Sequence, residues 1–188
     1  MIAYSHIQTE SKSVYITLKQ KIETQGFKII AVVLDGRSGI RNVFKEVPIQ
    51  MCQFHQLSIL RRYLTLNPRL KASKELKVLC KNLCNYSRKE FEEKFKNWNT
   101  RWNDFLKEKT VTENGKWHYT HRRLRSARRS IVTNIPYLFT YLEYPNLKIP
   151  NTTNHVESIN SKVKEFTSVH RGFKIELKHK IIAEILWK

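Results

Sequence analysis

The hydrophobic pattern predicts two short strands in the first third of the chain. A continuous apolar and β-branched run, KIIAVVL, fills residues 28–34 between Gly26 and the pair Asp35-Gly36. Runs of this kind are typical of strands buried on both faces of a parallel or mixed sheet. The segment VPIQMCQF at 47–54 predicts a second strand, and Pro48 places it nearer an edge. Together the two strands indicate an α/β core.

Helical spacing dominates the rest of the chain. Residues 11–25 predict a helix that stops at Gly26, and Ser38 predicts the cap of a short helix through Phe44. From about residue 56 to 143 the spacing is helical, with no strong strand signal. Over residues 88–107 an aromatic stripe at steps of four and three predicts a buried helix face: Phe91, Phe95, Trp98, Trp102 and Phe105. A loop at 143–154 then leads into two final helical segments, which contain residues 156–166 and 174–188.

Residues 117–132 predict a further helix that carries a cluster of arginines. Its apolar stripe is Leu124, Ala127 and Ile131, and no acidic residue interrupts the cluster, which consists of Arg122, Arg123, Arg125, Arg128 and Arg129. The forked guanidinium group suits phosphate oxygens. A solvated charged face is the alternative, but five arginines without partners repel one another. We therefore predict that this helix contacts the DNA backbone.

The balance of charge points to the same kind of partner. The 188 residues include 35 Lys and Arg against 16 Asp and Glu, which gives a net charge of +19. A polyanion is the natural partner of such a chain, and nucleic acid is the commonest polyanion. A basic surface kept for solubility explains so large an excess less well.

The order of elements predicts a predominantly helical protein built on an α/β core. A core segment at 1–55 is followed by an all-helical basic insertion at 56–150, and the chain returns to the core at 151–188. Three cysteines are few and odd in number, so they do not indicate a disulfide framework, and they suit a reducing compartment. The first residues lack the order of a signal peptide, and no run is long enough to span a membrane. We therefore expect a cytoplasmic protein.

Two acidic residues are candidates for metal-dependent chemistry. Asp35 follows a buried strand, where open α/β sheets gather their ligands, and a carboxylate there suits Mg²⁺. An ordinary Asp-Gly turn is the alternative. Glu157 lies three residues after Asn154 beside an apolar stripe, and it would serve as a second metal ligand. The alternative for Glu157 is a capping box with Asn154 at the N-cap.

Cys52 and His55 have the spacing of half a zinc site. Cys80 and Cys84 would supply the other half, but the leucines around them favour packing as small hydrophobic side chains. His55 is also a candidate for contacting a phosphate or orienting the site. A Cys-His nucleophile pair is the weakest alternative, because it leaves the charge unexplained.

These residues occur in an order that resembles a known family. Asp35-Gly36 is followed by the segment 50–55 (QMCQFH), the helical block, the segment 150–158 (PNTTNHVES) and the segment 170–172 (HRG). The whole chain thereby resembles DDE transposases of bacterial insertion sequences, in the Mutator-like group. Residues 117–127 also resemble that group's insertion domain.

The resemblance implies a fold, a chemistry and a set of partners. It implies a partial RNase H-like core with a Cys-x-x-His motif at Cys52 and His55, and it makes Asp35 and Glu157 the second and third acidic residues of an Asp-Asp-Glu triad. Two Mg²⁺ ions would support DNA cleavage and strand transfer. The implied partner is double-stranded DNA, both the transposon ends and the target. A homo-oligomer is a further candidate, and no membrane is implied. The DNA contacts are expected at the arginine cluster, His170 and Arg171, in a bacterial nucleoid-associated protein.

One departure from the family pattern changes the expected activity. The acidic residues before Asp35 are Glu10 and Glu23, and neither follows a buried strand. We therefore expect an N-terminally truncated transposase that lacks the first Asp and the first strands and is inactive by itself. The alternatives are a non-enzymatic DNA-binding protein that interferes with an intact transposase, and an unrelated basic helical protein that binds RNA or ribosomes.

Overall fold

The structure is a computed structural model that describes residues 9–187, without the side chains at positions 38, 155 and 187. Our expectation about a signal peptide concerns residues 1–8, which lie outside the described part. The described helices and strands are α1 (Lys12–Thr24), β1 (Val32–Leu34), α2 (Ser38–Arg41), β2 (Ile49–Met51), α3 (Gln53–Leu64), α4 (Lys71–Lys81), α5 (Arg88–Arg101), α6 (Asn103–Lys107), β3 (Lys109–Val111), β4 (Trp117–Tyr119), α7 (Arg122–Leu138), α8 (Thr140–Glu143), α9 (Asn154–Val169) and α10 (Ile175–Trp187). Short 3₁₀ turns occupy Leu83–Asn85 and Pro145–Leu147.

The chain divides into two compact units. One contains residues 30–152, and the other joins residues 1–29 to residues 153–188. The second unit contributes α1, α9 and α10. The predicted stop of the first helix is confirmed, because α1 ends at Thr24 and Gly26 has a φ of +82°.

The larger unit is a helical domain with a small parallel sheet. β1 and β2 pair in parallel with the register Val32↔Ile49, Val33↔Gln50 and Leu34↔Met51. Its core is formed by side chains from α3, α4, α5, α7 and β2 and by the residue that follows α7: Met51, Leu60, Leu76, Phe91, Phe95, Trp98, Leu124, Ile131 and Phe139. The prediction of a predominantly helical protein is confirmed.

The predicted aromatic stripe is a core element. Phe91, Phe95 and Trp98 are buried on α5, with ring centroids 6.1 and 6.0 Å apart along the stripe. The Trp98 indole donates a 3.0 Å hydrogen bond to the Ala72 carbonyl, which satisfies its one polar group. The helix is interrupted at Trp102, so residues 88–107 form two helices instead of one.

The prediction of an unbroken helix over 117–132, in a region without strands, was wrong at its start. β3 and β4 pair antiparallel, with Lys109↔Tyr119 and Val111↔Trp117 in register, and α7 begins at Arg122. Three-residue strands are too short to show an alternating pattern, so the hydrophobic pattern did not predict them. The turn between them contains Gly115 at a φ of +73°, a conformation that glycine adopts without strain.

Two boundaries near the parallel sheet also differ from prediction. The second strand ends at Met51, and Cys52 is the N-cap of α3. His55 therefore lies in the first turn of a helix instead of beyond a longer strand. The short helix α2 begins at Ser38 with Arg37 at its N-cap, so Ser38 is not the cap.

Candidate carboxylate site and nucleic-acid interface

The parallel register brings two candidate residues to the same edge of the sheet. Leu34 and Met51 are register partners, and the next residue on each strand is Asp35 or Cys52. The Cys52 amide donates a 2.8 Å hydrogen bond to the Leu34 carbonyl, which extends the pairing to the strand end. Cys52 is buried, whereas Asp35 and His55 are half-buried. This edge is the carboxyl end of both strands, where α/β proteins place their ligands.

The Asp35 carboxylate lies in a tight turn. Its Oδ1 accepts a 3.3 Å hydrogen bond from the Arg37 amide. Gly36 has a φ of +101°. Arg41 donates from Nη2 to the Gly36 carbonyl at 3.4 Å, so a guanidinium lies against the turn.

Arg41 is a buried cation that the sequence analysis did not single out. It is 7% exposed, and its guanidinium lies 4.2 Å from the centre of the Tyr137 ring. Its Nη2 also donates to Asn134 Oδ1. Burial lowers the pKa of the Arg41 guanidinium, while Tyr137 and the charge of Asp35 act in the opposite direction. In the sequence, Arg41 is marked only by its position six residues after Asp35, and that position does not show whether its side chain is buried or exposed.

Gly36→Ala is expected to lower the free energy of unfolding by about 1–3 kcal/mol. An added Cβ would stand 2.6 Å from both Sδ and Cε of the fully buried Met51, in a backbone conformation that L side chains rarely adopt. Gly39→Ala is the matched control, because nothing lies within 4 Å of its added Cβ. Urea unfolding of both variants measures the difference, and equal stabilities would contradict the strained turn.

Three glutamines at intervals of three attach α7 to the sheet and to α3. Gln50 and Gln53 each donate a 3.0 Å hydrogen bond to the carbonyl of Leu138, which is the last residue of α7. Gln56 accepts a 2.7 Å hydrogen bond from Asn134 and donates to Ser130 at 3.2 Å. Since unpaired carbonyls at a helix end are costly when buried, the glutamines fix the position of α7. Their spacing was present in the sequence, but the pattern of hydrophobic residues did not reveal it.

The arginine cluster of α7 separates into engaged and free side chains. Arg123 donates to the Arg62 carbonyl at 2.7 Å, Arg125 to the Leu106 carbonyl at 2.7 Å, and Arg128 to Asn99 at 2.6 Å. Arg122 and Arg129 are exposed and make no hydrogen bond or ion pair to any residue of the described part. None of the five forms an ion pair within residues 9–187.

An open cleft of about 550 Å³ runs along this helix. Tyr119, Arg122, Arg125, Ser126, Arg128, Arg129 and Val132 line it. The engaged arginines are oriented by neighbouring elements, whereas the free ones reach into solvent. We call the exposed face formed by the five arginines the arginine surface.

Glu157 belongs to the other unit and lies in the first turn of α9. The N-cap is Thr153, and its hydroxyl donates a 2.8 Å hydrogen bond to Glu157 Oε1. The alternative for Glu157, a capping box with Asn154 at the N-cap, does not form, because Asn154 already has helical geometry. The half-buried carboxylate is therefore held by a hydroxyl one turn before it, and Gln in its place could accept the same bond.

His170 and Arg171 form the turn between α9 and α10. The His170 ring lies between Phe166 and Phe173, with centroids 4.6 and 4.7 Å away. The Arg171 carbonyl accepts a 2.8 Å hydrogen bond from Lys178, while its side chain is exposed. The histidine thus packs within its own unit, and the DNA contact expected of both residues stays a prediction.

Of the three cysteines, Cys80 matches a small packed side chain better than a zinc ligand. All three are free, with Cys52 and Cys80 buried and Cys84 exposed. Burial raises the pKa of the Cys80 thiol, which disfavours the thiolate that a metal requires.

A basic stripe along one helix, such as the arginine surface, is typical of proteins that bind nucleic acid. Comparison with protein families matches residues 1–178 to the family described as Transposase, Mutator family. The chain therefore belongs to the Mutator family of transposases. Neither the curated proteins nor the solved structures contain a match to it. Along residues 9–187, every helix is too short or too polar to cross a lipid bilayer.

Proposed function

We propose that this chain acts in DNA transposition by DDE-type phosphodiester chemistry, with Asp35 and Glu157 as two of the three acidic residues. The observation that carries the proposal is the strand-end position of Asp35 in the same unit as the arginine surface. The DNA would be transposon ends and target, and a homo-oligomer is a further proposed partner. An RNase H-like core made of residues 1–55 and 151–188, with residues 56–150 as its insertion, belongs to the same proposal.

The two carboxylates fit a hard divalent cation by their chemistry. Both are half-buried oxygen donors, and each accepts a local hydrogen bond that restrains it: from the Arg37 amide for Asp35 and from the Thr153 hydroxyl for Glu157. Mg²⁺ held there would polarise the phosphodiester and activate the attacking oxygen. Cys52 and His55 would support the sheet edge next to Asp35.

The first acidic residue of the triad has no strand-end candidate among the described residues before Asp35. The Tyr15 hydroxyl donates to the Glu10 carboxylate, and Glu23 lies on the exposed surface of α1. Neither follows a strand in the part of the chain that the structure describes. We therefore propose that this chain supports little or no strand transfer by itself.

The arginine surface supplies the proposed contact with DNA. Arg122 and Arg129 are free to bind phosphate oxygens, while Arg123, Arg125 and Arg128 add positive charge from fixed positions. Each phosphate contact releases counterions, so the affinity should fall steeply as salt rises.

Arg122→Gln and Arg129→Gln are each expected to reduce the slope of log K against log salt by about 1. Fluorescence anisotropy with a labelled duplex of arbitrary sequence, from low to moderate salt, measures the slope. Lys89→Gln and Lys96→Gln on α5 are matched controls, because they remove the same charge from exposed positions outside the arginine surface. Equal effects from all four variants would show that net charge alone binds DNA, and wild-type affinity that ignores salt would overturn the proposed contact.

A non-enzymatic DNA-binding protein that interferes with an intact transposase is the second candidate. It is favoured by one observation: the arginine surface lies wholly within the unit of residues 30–152, so DNA binding does not require Glu157. Carboxylate variants separate the two candidates. Under the second, Asp35→Asn leaves divalent-ion binding and every DNA-dependent property unchanged.

A further inference from the structure

The hairpin of β3 and β4 carries a continuous face of large side chains. Residues directly opposite in an antiparallel pair share a face, as do alternate residues along a strand. The register Lys109↔Tyr119 and Val111↔Trp117 therefore places these four side chains together. The opposite face is marked by Thr110 and Thr120, whose hydroxyls lie 2.8 Å apart. We call the first set the hairpin face.

The hairpin face is exposed to an extent that folding does not explain. Trp117 is 56% exposed and Val111 is 67% exposed. Tyr119 meets the Trp117 ring edge-on with centroids 5.5 Å apart, and Lys109 Nζ lies 4.1 Å from the centre of the Trp117 ring. An indole contributes most to stability when its large surface is buried. A tryptophan left mostly in water, with a cation beside it, indicates a surface kept for a partner.

The hairpin face continues directly into the arginine surface. The Arg125 guanidinium lies 3.5 Å from the centre of the Tyr119 ring, and its bond to the Leu106 carbonyl fixes it there. Tyr119 also lines the cleft that contains Arg122 and Arg129. In space, from the hairpin to α7, the side chains are thus apolar Val111, aromatic Trp117, cationic Lys109, aromatic Tyr119 and cationic Arg125.

The pattern selects one kind of ligand. Aromatic rings interleaved with cations bind unpaired bases, because every base has a π-face that stacks and every nucleotide carries a phosphate. A paired duplex shields those π-faces within its stack. The net charge of +19 disfavours an apolar protein partner without matching acidic groups.

We propose that the hairpin face binds unpaired DNA bases, with Trp117 as the stacking ring and with Lys109 and the arginine surface on the flanking phosphates. This inference rests on the proposed function in one respect, since it requires that the chain bind DNA. It adds that the DNA is recognised where bases are unpaired.

The test compares three fluorescein-labelled DNAs of matched length: a duplex, the same duplex with three unpaired nucleotides at its centre, and a single strand. The full chain is titrated by anisotropy at two salt concentrations. Wild type should bind the interrupted duplex and the single strand roughly 5- to 150-fold more tightly than the duplex, the factor expected for one stacked base. Trp117→Ala should lose this preference, and Trp117→Phe, which keeps a ring, should retain most of it.

A second readout reports stacking itself. With 2-aminopurine at an unpaired position, wild type should quench its fluorescence and Trp117→Ala should not. Tyr144→Ala is the matched control, because Tyr144 is a 44% exposed aromatic residue of the same unit outside the hairpin. Thermal unfolding of Trp117→Ala should match wild type, since the ring is mostly exposed.

Each other outcome has a definite meaning. If wild type binds duplex tightly with no preference for unpaired bases, the hairpin inference fails and the proposed function stands. If Trp117→Ala weakens all three DNAs equally, or changes only the oligomeric mass of the chain, the inference also fails. If wild type binds none of the DNAs, both the inference and the proposed function fail.

Discussion

Asn134→Leu is expected to lower the free energy of unfolding by about 2–6 kcal/mol, because two buried groups lose their partner at about 1–3 kcal/mol each. Asn134 accepts a hydrogen bond from Arg41 Nη2 and donates a 2.7 Å hydrogen bond to Gln56 Oε1. Leucine has a similar size and offers neither an acceptor nor a donor. The Arg41 cation then keeps its contact with the Tyr137 ring but has no strong acceptor on α7. Urea unfolding followed by circular dichroism measures the loss.

A double-mutant cycle tests the physical reason for this loss. Arg41→Met removes the buried charge, so adding Asn134→Leu to it should cost less than Asn134→Leu costs in wild type. Thr133→Ala, at the exposed neighbouring position, should change stability by less than about 0.5 kcal/mol. Additive effects of the Arg41 and Asn134 changes would contradict the coupling between them.

Asp35→Asn is expected to weaken Mn²⁺ binding at least about 10-fold. Removing a residue that only hydrogen-bonds to a metal ligand typically lowers metal affinity about 10- to 100-fold, and loss of a ligand should cost no less. Mn²⁺ stands in for Mg²⁺ because its unbound fraction is measured directly by electron paramagnetic resonance. The amide keeps the size of the side chain and an oxygen that can accept the bond from the Arg37 amide, but it loses the charge that holds a hard cation. Glu157→Gln should act in the same direction while keeping the acceptor for the Thr153 hydroxyl.

The control for the carboxylate variants is Asp104→Asn. Asp104 lies on α6 with a side chain that is 98% exposed, and its only charged neighbour in the described part is Lys107 at 3.7 Å. Unchanged Mn²⁺ binding in the Asp35 and Glu157 variants would remove the carboxylate site from the proposal. Mg²⁺-dependent nicking by wild type that persists in Asp35→Asn would do the same.

Helix α7 joins the two parts of the proposed machinery. Arg122 and Arg129 project from it into solvent, and further along the same helix Asn134 and Tyr137 hold Arg41 against the turn that follows Asp35. DNA bound at the arginine surface would therefore rest on the helix that also fixes the carboxylate turn. Because Asn134 holds Arg41 against this turn, the effect of Asn134→Leu on stability also reports on how firmly the carboxylate turn is held.

The helical core was largely predictable because each helix buries a face that repeats along the chain. The stripe of Phe91, Phe95 and Trp98 follows the period of an α-helix, and its burial needs no knowledge of distant residues. The two parallel strands were located in the same way, though their ends were not. Cys52 and His55 looked like the end of a strand, but helical bonding begins directly after Met51.

The hairpin was not predictable by the same means. Its strands are three residues long, and Trp117 lies seven residues before Leu124, which fits the helical spacing of the segment that follows. Pairing with Lys109–Val111 decides the conformation, since the hydrogen bonds and cross-strand contacts form only when the two strands meet. The surface that we assign to unpaired bases therefore exists only in the folded chain.

The sequence by itself determined the net charge, the helical core, the strand before Asp35 and the family resemblance, because these depend on composition, on local periodicity and on the order of motifs. Only the tertiary structure decided which charged side chains are engaged and which are free. Arg41 reaches Asn134 across 93 residues, and Arg125 reaches the Leu106 carbonyl across 19. A long side chain takes its partner from whatever element packs beside it, so two arginines one helical turn apart that are each followed by serine, Arg125 and Arg129, have different roles in the folded protein.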